Sequence, residues 1–173
     1  ADTQETAVAW KHALLSEERP AALVLTRQTL KEIPKSKIQN TNISKGGYVV
    51  YGTTNRPDGI IIATGSEVSI ALKAALELKD KGLDIRVISM PCQELYERQS
   101  SVYKNKCIPK NFNNILAVES GKGQSWYKYI GKEGSMITME SFGLSGTGKD
   151  VMRHFGFTVN NIKKQIQKLI NRK

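Results

Sequence analysis

The chain has 173 residues, 39% of them hydrophobic, and 26 Lys and Arg residues stand against 16 Asp and Glu residues. This length and composition suit one globular domain and part of another, and they exclude a largely disordered chain. No run approaches the roughly 18–20 apolar residues of a membrane span, so we expect no membrane association. The net charge of +10 is spread along the chain rather than gathered in one block, so we expect no nucleic-acid partner.

The first 30 residues predict a helix followed by a strand. Asp2 and Glu5 have the spacing of a capping box, and apolar residues recur at helical spacing across Ala7, Val8, Trp10, Leu14 and Leu15. After Pro20, the apolar run AALVLT (21–26) is typical of a strand that is buried on both faces. The polar segment 31–47 contains Pro34 and ends in two glycines, which predicts a linker.

From residue 47 onward the chain alternates strands and helices. We predict strands over 47–51, 59–65, 83–89, 114–120 and 135–140. The first predicted helix is capped by Thr64 or Ser66 and ends at Gly82. One or two short helices follow within 93–106, and a short helical turn covers 123–131. Two further helices are predicted over 150–156 and after Thr158. Apolar strands that alternate with helices predict a doubly wound α/β domain with a mostly parallel sheet. Because a turn of about seven residues is too short for a parallel crossover, the strand over 47–51 is predicted to lie antiparallel at an edge.

Two glycine-containing stretches bear on phosphate binding. GLSGTGKD (143–150) comes within one residue of a phosphate-binding loop, but Asp150 stands where that loop needs a hydroxyl to coordinate magnesium. We therefore predict a strand-to-helix turn in which Lys149 is not a nucleotide ligand, although weak anion binding at the next helix stays open. ATGSEV, after the strand over 59–65, lacks the GxGxxG glycines and predicts a helix cap.

The remaining reactive and aromatic residues form no recognisable catalytic set. In VESGKGQSWYKYIG, Trp126, Tyr127 and Ile130 have helical spacing, which favours a packed turn or an oligomer contact over base stacking. Cys92 and Cys107 stand without a CxxC or a nearby histidine pair, which is typical of reduced thiols in a cytoplasmic protein. The sequence contains no pattern of a Ser-His-Asp or Cys-His triad and no revealing carboxylate pair, so we expect no catalytic and no metal-binding residues.

Taken together, these segments resemble the C-terminal third of transketolase. The resemblance starts at ETAVAWKHAL and ALVLTRQTL, continues through GGYVVYG, GIIIATGSEVSIAL, IRVISMPC and AVESGKGQSWYKYIG, and ends at ESFGLSGTGKDVMRHFGFTVNNI. It covers nearly the whole chain in the order of the family and places GLSGTGKD in a variable turn. LTRQ, SMPC and WYKYIG favour transketolase over the pyruvate-dehydrogenase-type and deoxyxylulose-phosphate-synthase-type enzymes, which share the architecture.

The resemblance implies a homodimeric enzyme of three α/β domains. Such an enzyme transfers a two-carbon ketol unit between sugar phosphates in the non-oxidative pentose phosphate pathway, with thiamine diphosphate and a divalent cation, Mg²⁺ or Ca²⁺. It implies that residues 1–33 end the pyrimidine-binding middle domain, that 34–47 form a linker, and that 48–173 form a C-terminal domain with a mixed five-stranded sheet. Since the family's catalytic, cofactor and metal residues lie upstream, we expect this chain to be catalytically incomplete and to bind no cofactor by itself.

One substrate-binding residue of the family has a match in this chain. The resemblance implies that Arg27 contacts the phosphate of the sugar substrate. Position alone leaves an ion pair between Arg27 and Glu32 equally open. The alternative function from another class is a free-standing α/β module that binds nucleotides or a regulatory partner.

Overall fold

The computed structural model describes residues 1–34, 42–52 and 56–172. The helices are α1 (Thr3–Leu14), α2 (Glu67–Lys79), α3 (Gln93–Glu97), α4 (Ser101–Cys107), α5 (Tyr127–Ile130), α6 (Gly148–His154) and α7 (Val159–Ile170). The strands are β1 (Tyr48–Tyr51), β2 (Gly59–Ala63), β3 (Ile85–Ser89), β4 (Ile115–Glu119) and β5 (Ser135–Thr138). Single 3-10 turns cover Ile43–Lys45 and Gln124–Trp126.

The five strands form one sheet in the order β1-β3-β2-β4-β5. Strand β1 runs antiparallel to β3 at one edge, with Tyr48 opposite Ser89, and the other three pairs are parallel. This arrangement confirms the predicted α/β fold and its antiparallel edge strand. Each parallel connection includes a helix, because a crossover between parallel strands needs a dozen or more residues.

Helices cover both faces of the sheet, and the core is therefore divided into two layers. Along β2, Ile61 and Ala63 belong to the layer that contains α2 and α7, whereas Ile60 and Ile62 belong to the layer that contains α3, α4 and α5. All four side chains are fully buried. A Cβ atom on Gly59 would lie 2.9 Å from Cδ1 of Ile166, so α7 approaches the start of β2 where only glycine leaves room. Burial on both sides explains why β2 is apolar at every position.

Helix α1 is attached to the sheet through a buried carboxylate. Asp2 caps the helix, since its Oδ1 accepts a hydrogen bond from the Glu5 N–H at 2.9 Å. Glu5 does not turn back toward Asp2 as a capping box would require. Its Oε1 instead accepts hydrogen bonds from the Tyr48 hydroxyl, at 2.9 Å, and from the Ser89 hydroxyl, and its Oε2 contacts the amino group of Ala1. A side chain of α1 thus satisfies hydroxyls from the antiparallel pair β1 and β3.

The predicted helix α1 forms, but most of its apolar face is exposed in this structure. Val8 packs against the core, but Trp10, Leu14 and Leu15 are 51%, 77% and 69% exposed. The helix therefore buries one end of its apolar stripe and leaves the remainder open to solvent.

The strand predicted over 21–26 does not form. These residues have no regular secondary structure, and Val24 and Leu25 are 95% and 56% exposed. A strand needs a neighbour to pair its backbone N–H and carbonyl groups, and none of the five strands in the described ranges pairs with this run. The apolar pattern therefore does not produce a strand among the residues that the structure describes.

Helix α2 begins differently from the prediction and ends as predicted. Ser66 is itself in a helical conformation and its side chain makes no capping hydrogen bond, so the first turn is closed by Glu67 and Val68 N–H groups that donate to the carbonyls of Thr64 and Gly65. At the other end Gly82 adopts a left-handed φ of 80°.

Among the described residues, no helix has the length and apolar character needed to cross a membrane.

Candidate functional site

Arg27 lies in the exposed segment that follows the apolar run 21–26. Its side chain is exposed, and within the described ranges it makes no hydrogen bond and no ion pair. Glu32, the alternative ion-pair partner, is engaged elsewhere, because its Oε1 accepts hydrogen bonds from the Thr3 hydroxyl at 2.5 Å and the Thr3 N–H at 3.3 Å. The local ion pair considered from the sequence is therefore not formed, and the guanidinium is open to an anionic ligand.

The residue after Arg27 packs against the start of α6. A Cβ atom on Gly148 would lie 2.3 Å from Nε2 of Gln28, so the terminal amide of Gln28 rests directly against this glycine. Gly148 belongs to the GLSGTGKD stretch. The structure thus brings together the segment of the predicted phosphate ligand and the glycine-rich turn, which lie 120 positions apart in the chain.

The GLSGTGKD stretch itself forms the capped start of a helix. The Thr147 hydroxyl accepts a hydrogen bond from the Asp150 N–H at 3.3 Å and donates one to Asp150 Oδ2 at 2.6 Å. Asp150 also lies 3.4 Å from the guanidinium of Arg153. The carboxylate that replaces the usual hydroxyl therefore belongs to a local cap and ion pair.

The carboxyl ends of β2 and β4 form the point at which the chain switches between faces of the sheet. Helix α2 leaves β2 toward one layer of the core and α5 leaves β4 toward the other, and such a point is where open α/β sheets bind ligands. Here Glu67 fills the gap at 2% exposure. Its Oε1 accepts a hydrogen bond from the Ser66 hydroxyl at 2.5 Å, and its Oε2 accepts from the Ser120 N–H at 3.4 Å and the Ser120 hydroxyl at 3.3 Å.

A second carboxylate lies beside Glu67 at this edge. Glu119, the last residue of β4, accepts a hydrogen bond from the Gly121 N–H at 3.0 Å. Burial raises the pKa of Glu67 above its ordinary value, and burial together with the charge of Glu67 raises the pKa of Glu119. Both groups make the gap repulsive to phosphates when they ionise, so the usual nucleotide position of this fold is closed by the protein's own side chains.

The aromatic stretch after β4 is a packed turn, as the helical spacing predicted. Trp126 and Ile130 are 1% and 3% exposed, whereas Tyr127 is 63% exposed. The Trp126 ring lies 5.9 Å from that of Tyr129 at a tilt of 54°. Since the Trp126 indole is inside the core, it offers no face on which a base could stack.

Metal-ligating side chains are not grouped in the described part of the chain. No set of three or more His, Cys, Asp and Glu residues lies close enough to hold a metal ion there. Cys92 and Cys107 are both free thiols, and Cys107 is buried.

Comparison with known proteins identifies the same family along the whole chain. Residues 46–158 match the family model of the transketolase-like TK C-terminal domain. The transketolase of Bacillus subtilis is 41% identical over 174 residues, which cover 99% of this chain and 26% of that protein. The transketolase of Staphylococcus epidermidis is 43% identical over 171 residues, which cover 98% of this chain and 26% of that protein.

Solved structures give the same result. A transketolase from Pichia stipitis in complex with sedoheptulose 7-phosphate superimposes with a TM-score of 0.87 and 34% identity, over 98% of this chain and 24% of that one. A transketolase from Leishmania mexicana gives a TM-score of 0.88 and 33% identity, over 99% of this chain and 24% of that one. The chain spans about a quarter of the length of the relatives it matches.

Proposed function

The chain belongs to the transketolase family through its C-terminal domain, and from this premise we propose that it is the C-terminal portion of a transketolase. The complete enzyme transfers a two-carbon ketol unit between sugar phosphates, in the non-oxidative pentose phosphate pathway. The observation that carries the proposal is the combination of 41–43% identity over nearly all of this chain with coverage of only 26% of each relative. Among the solved relatives, the Pichia stipitis transketolase is bound to a sugar phosphate, sedoheptulose 7-phosphate.

The chemistry of this reaction belongs to a cofactor that the chain does not hold by itself. Thiamine diphosphate and a divalent cation would be bound by the remaining three quarters of the polypeptide. The part of the reaction that we assign to this chain is substrate binding and structure.

We assign the phosphate of the sugar substrate to Arg27. A guanidinium presents a planar fork that binds two phosphate oxygens at once. The exposed Arg27 side chain has no competing carboxylate in the described ranges, because Glu32 is bound to Thr3. The contact lies far from the reacting carbon, so it contributes to substrate binding more than to the chemical step.

The N-terminal region (1–34) fits a surface that the rest of the enzyme covers. The large side chains of Trp10, Leu14, Leu15, Val24 and Leu25 are all more than half exposed. We propose that residues 1–33 complete the middle domain, with 21–26 as one of its strands, that 34–47 link it to the C-terminal domain at 48–173, and that the enzyme is a homodimer. The two free thiols fit a reducing compartment, for which we propose the cytoplasm.

A free-standing nucleotide-binding module is the less supported function. The ligand position of an open α/β sheet is filled by Glu67, which bridges to Ser120, and its neighbour Glu119 is also acidic. Phosphates would meet two carboxylates there.

Ketol transfer by two versions of the protein tests the proposal. The 173-residue chain and the longer polypeptide encoded by the gene are each assayed with thiamine diphosphate, magnesium and a pair of sugar phosphates. We expect turnover by the longer polypeptide and none above background by the chain. Turnover by the chain alone, or a gene that encodes no cofactor-binding segment before Ala1, would contradict the proposal.

A further inference from the structure

A basic pocket lies at the amino-terminal ends of the parallel strands, whereas Glu67 lies at their carboxyl ends. It has a volume of about 700 Å³, and its polar lining consists of Arg56, Arg86, Asn105, Lys106, Lys110 and Asn111. These residues come from the approach to β2, the start of β3, the C-terminal half of α4 and the segment between α4 and β4. The pocket is therefore built where parallel strands begin, away from the edge at which this fold usually binds ligands.

The charge of the pocket has one sign. Four of its lining side chains are cations, and no described carboxylate lines it. Asp84 is the acidic residue whose charge acts on Arg86, and it lies outside the lining. Four cations around one concavity repel each other, and a bound anion removes that repulsion.

Arg86 forms a fixed cation at the base of the pocket. It is 1% exposed, and its Nη1 donates hydrogen bonds to the carbonyl oxygens of Lys106 at 3.2 Å and Cys107 at 2.8 Å. These carbonyls lie at the C-terminal end of α4, where a positive charge complements the helix dipole. Burial lowers the pKa of Arg86 from its ordinary value, because the charged form loses hydration. A buried positive charge of this kind strengthens the attraction for an anion in the pocket.

The other three cations lie at the rim. The side chains of Arg56, Lys106 and Lys110 are exposed. Lys106 contributes to the pocket twice, since its carbonyl accepts a hydrogen bond from Arg86 and the residue also belongs to the lining. Exposed cations around a buried, hydrogen-bonded guanidinium suit a compact anion that carries more than one negative charge.

We propose that this pocket binds a small phosphate-bearing ligand, either a diphosphate or a phosphate monoester. Its volume falls within the roughly 300–1,000 Å³ of small-molecule sites. The concave arrangement, with no aromatic side chain in the lining, favours a small anion over single-stranded nucleic acid, which requires stacking platforms. The proposal does not depend on ketol transfer, because Arg27 and the pocket belong to different regions of the chain.

Pyrophosphate binding to the 173-residue chain tests the pocket. Titration calorimetry is carried out at constant ionic strength in a chloride buffer that contains no sulfate or phosphate, since either of these anions would compete for the pocket. The double variant Lys106→Gln, Lys110→Gln removes two rim cations. The matched control Lys164→Gln, Lys168→Gln removes two exposed cations from α7, and all three proteins are first shown to have the same melting temperature and circular dichroism.

We expect saturable binding at sub-millimolar pyrophosphate that weakens at least tenfold in the rim variant and less than twofold in the control. No saturable binding, or equal weakening in both variants, would overturn the proposal. A single-stranded oligonucleotide that binds more tightly than pyrophosphate, and is weakened by both double variants, would overturn it in favour of a diffuse polyanion surface.

Discussion

Two apolar runs of this chain have the same sequence character and opposite outcomes. GIIIA in β2 pairs with β3 and β4 on either side, and its four aliphatic side chains are fully buried. AALVLT at 21–26 pairs with none of the five described strands, and Val24 is 95% exposed. A local apolar pattern thus makes a buried strand possible, but the strand forms only where neighbouring strands pair with it. In this chain the sheet region (48–170) supplies stability, and the N-terminal region (1–34) carries the proposed substrate contact.

The largest expected difference is in the free energy of unfolding, when one side chain in each apolar run is truncated. Ile61→Ala and Leu25→Ala each remove three carbon atoms. Ile61→Ala leaves a cavity in the buried core and should lower the free energy of unfolding by about 3 kcal/mol. Leu25→Ala should lower it by less than about 1 kcal/mol. Urea denaturation of both variants measures this difference, and equal losses would show that the N-terminal region is as well packed as the sheet.

The next largest effect is expected from breaking the contact between α1 and the sheet, which Glu5 makes with Tyr48 and Ser89. Glu5→Ala leaves the buried hydroxyls of Tyr48 and Ser89 without their acceptor, which should lower the free energy of unfolding by about 1–2 kcal/mol. Exposed Glu18→Ala is the matched control and should change it by less than about 0.5 kcal/mol. Hydrogen exchange should also show faster opening of α1 in the first variant. An unchanged α1 would mean that Glu5 does not hold the helix to the sheet.

The smallest effect is a pH dependence inside the sheet region. The pKa of Glu67 is raised in the folded state by burial, so its contribution to stability is complete below the ordinary pKa of glutamate and is lost as the pH rises through the folded-state pKa. Glu67→Gln removes this loss and also part of the charge that raises the pKa of Glu119. Relative to the wild type, the variant should therefore become more stable as the pH rises.

Urea denaturation from pH 5 to pH 8 measures this pH dependence. Exposed Glu18→Gln, which leaves the buried pair intact, should keep the wild-type pH profile. If Glu67→Gln also keeps the wild-type profile, the ionisation of Glu67 is not linked to folding.

The sequence was sufficient for most of the sheet region because its signals are local and agree with one another. Apolar two-sided strands, a seven-residue turn too short for a crossover and Gly82 at the end of α2 each specify one outcome. The strand predicted at 21–26 does not form in this structure, because pairing is not local and none of the described strands lies beside the run. The same holds for the exposed Trp10 and Leu14, because helical spacing predicts a shared apolar face but not what packs against it.

The candidate sites also differ in how far the sequence alone could predict them. Arg27 was assigned through the resemblance to the family, and its role stays a prediction; it makes no ion pair within the described ranges. The bridge from Glu67 to Ser120 was missed, since the two residues lie 53 positions apart and Glu67 also fits the pattern of a helix start. The basic pocket was missed because Arg56, Arg86 and Lys110 lie far apart in sequence and meet only where the parallel strands begin.

The kinetics of Arg27→Gln in the longer polypeptide test the central claim, that the exposed N-terminal region binds substrate while the sheet supplies stability. Loss of a charge-assisted contact of about 1.5–3 kcal/mol should raise KM for phosphorylated sugars about tenfold or more, with a smaller change in kcat. Activity with hydroxypyruvate, a donor without a phosphate, should barely change, and Arg98→Gln in the sheet region should leave both substrates unaffected. Equal loss of activity toward hydroxypyruvate and sugar phosphates would show that Arg27 is structural and would contradict the assignment.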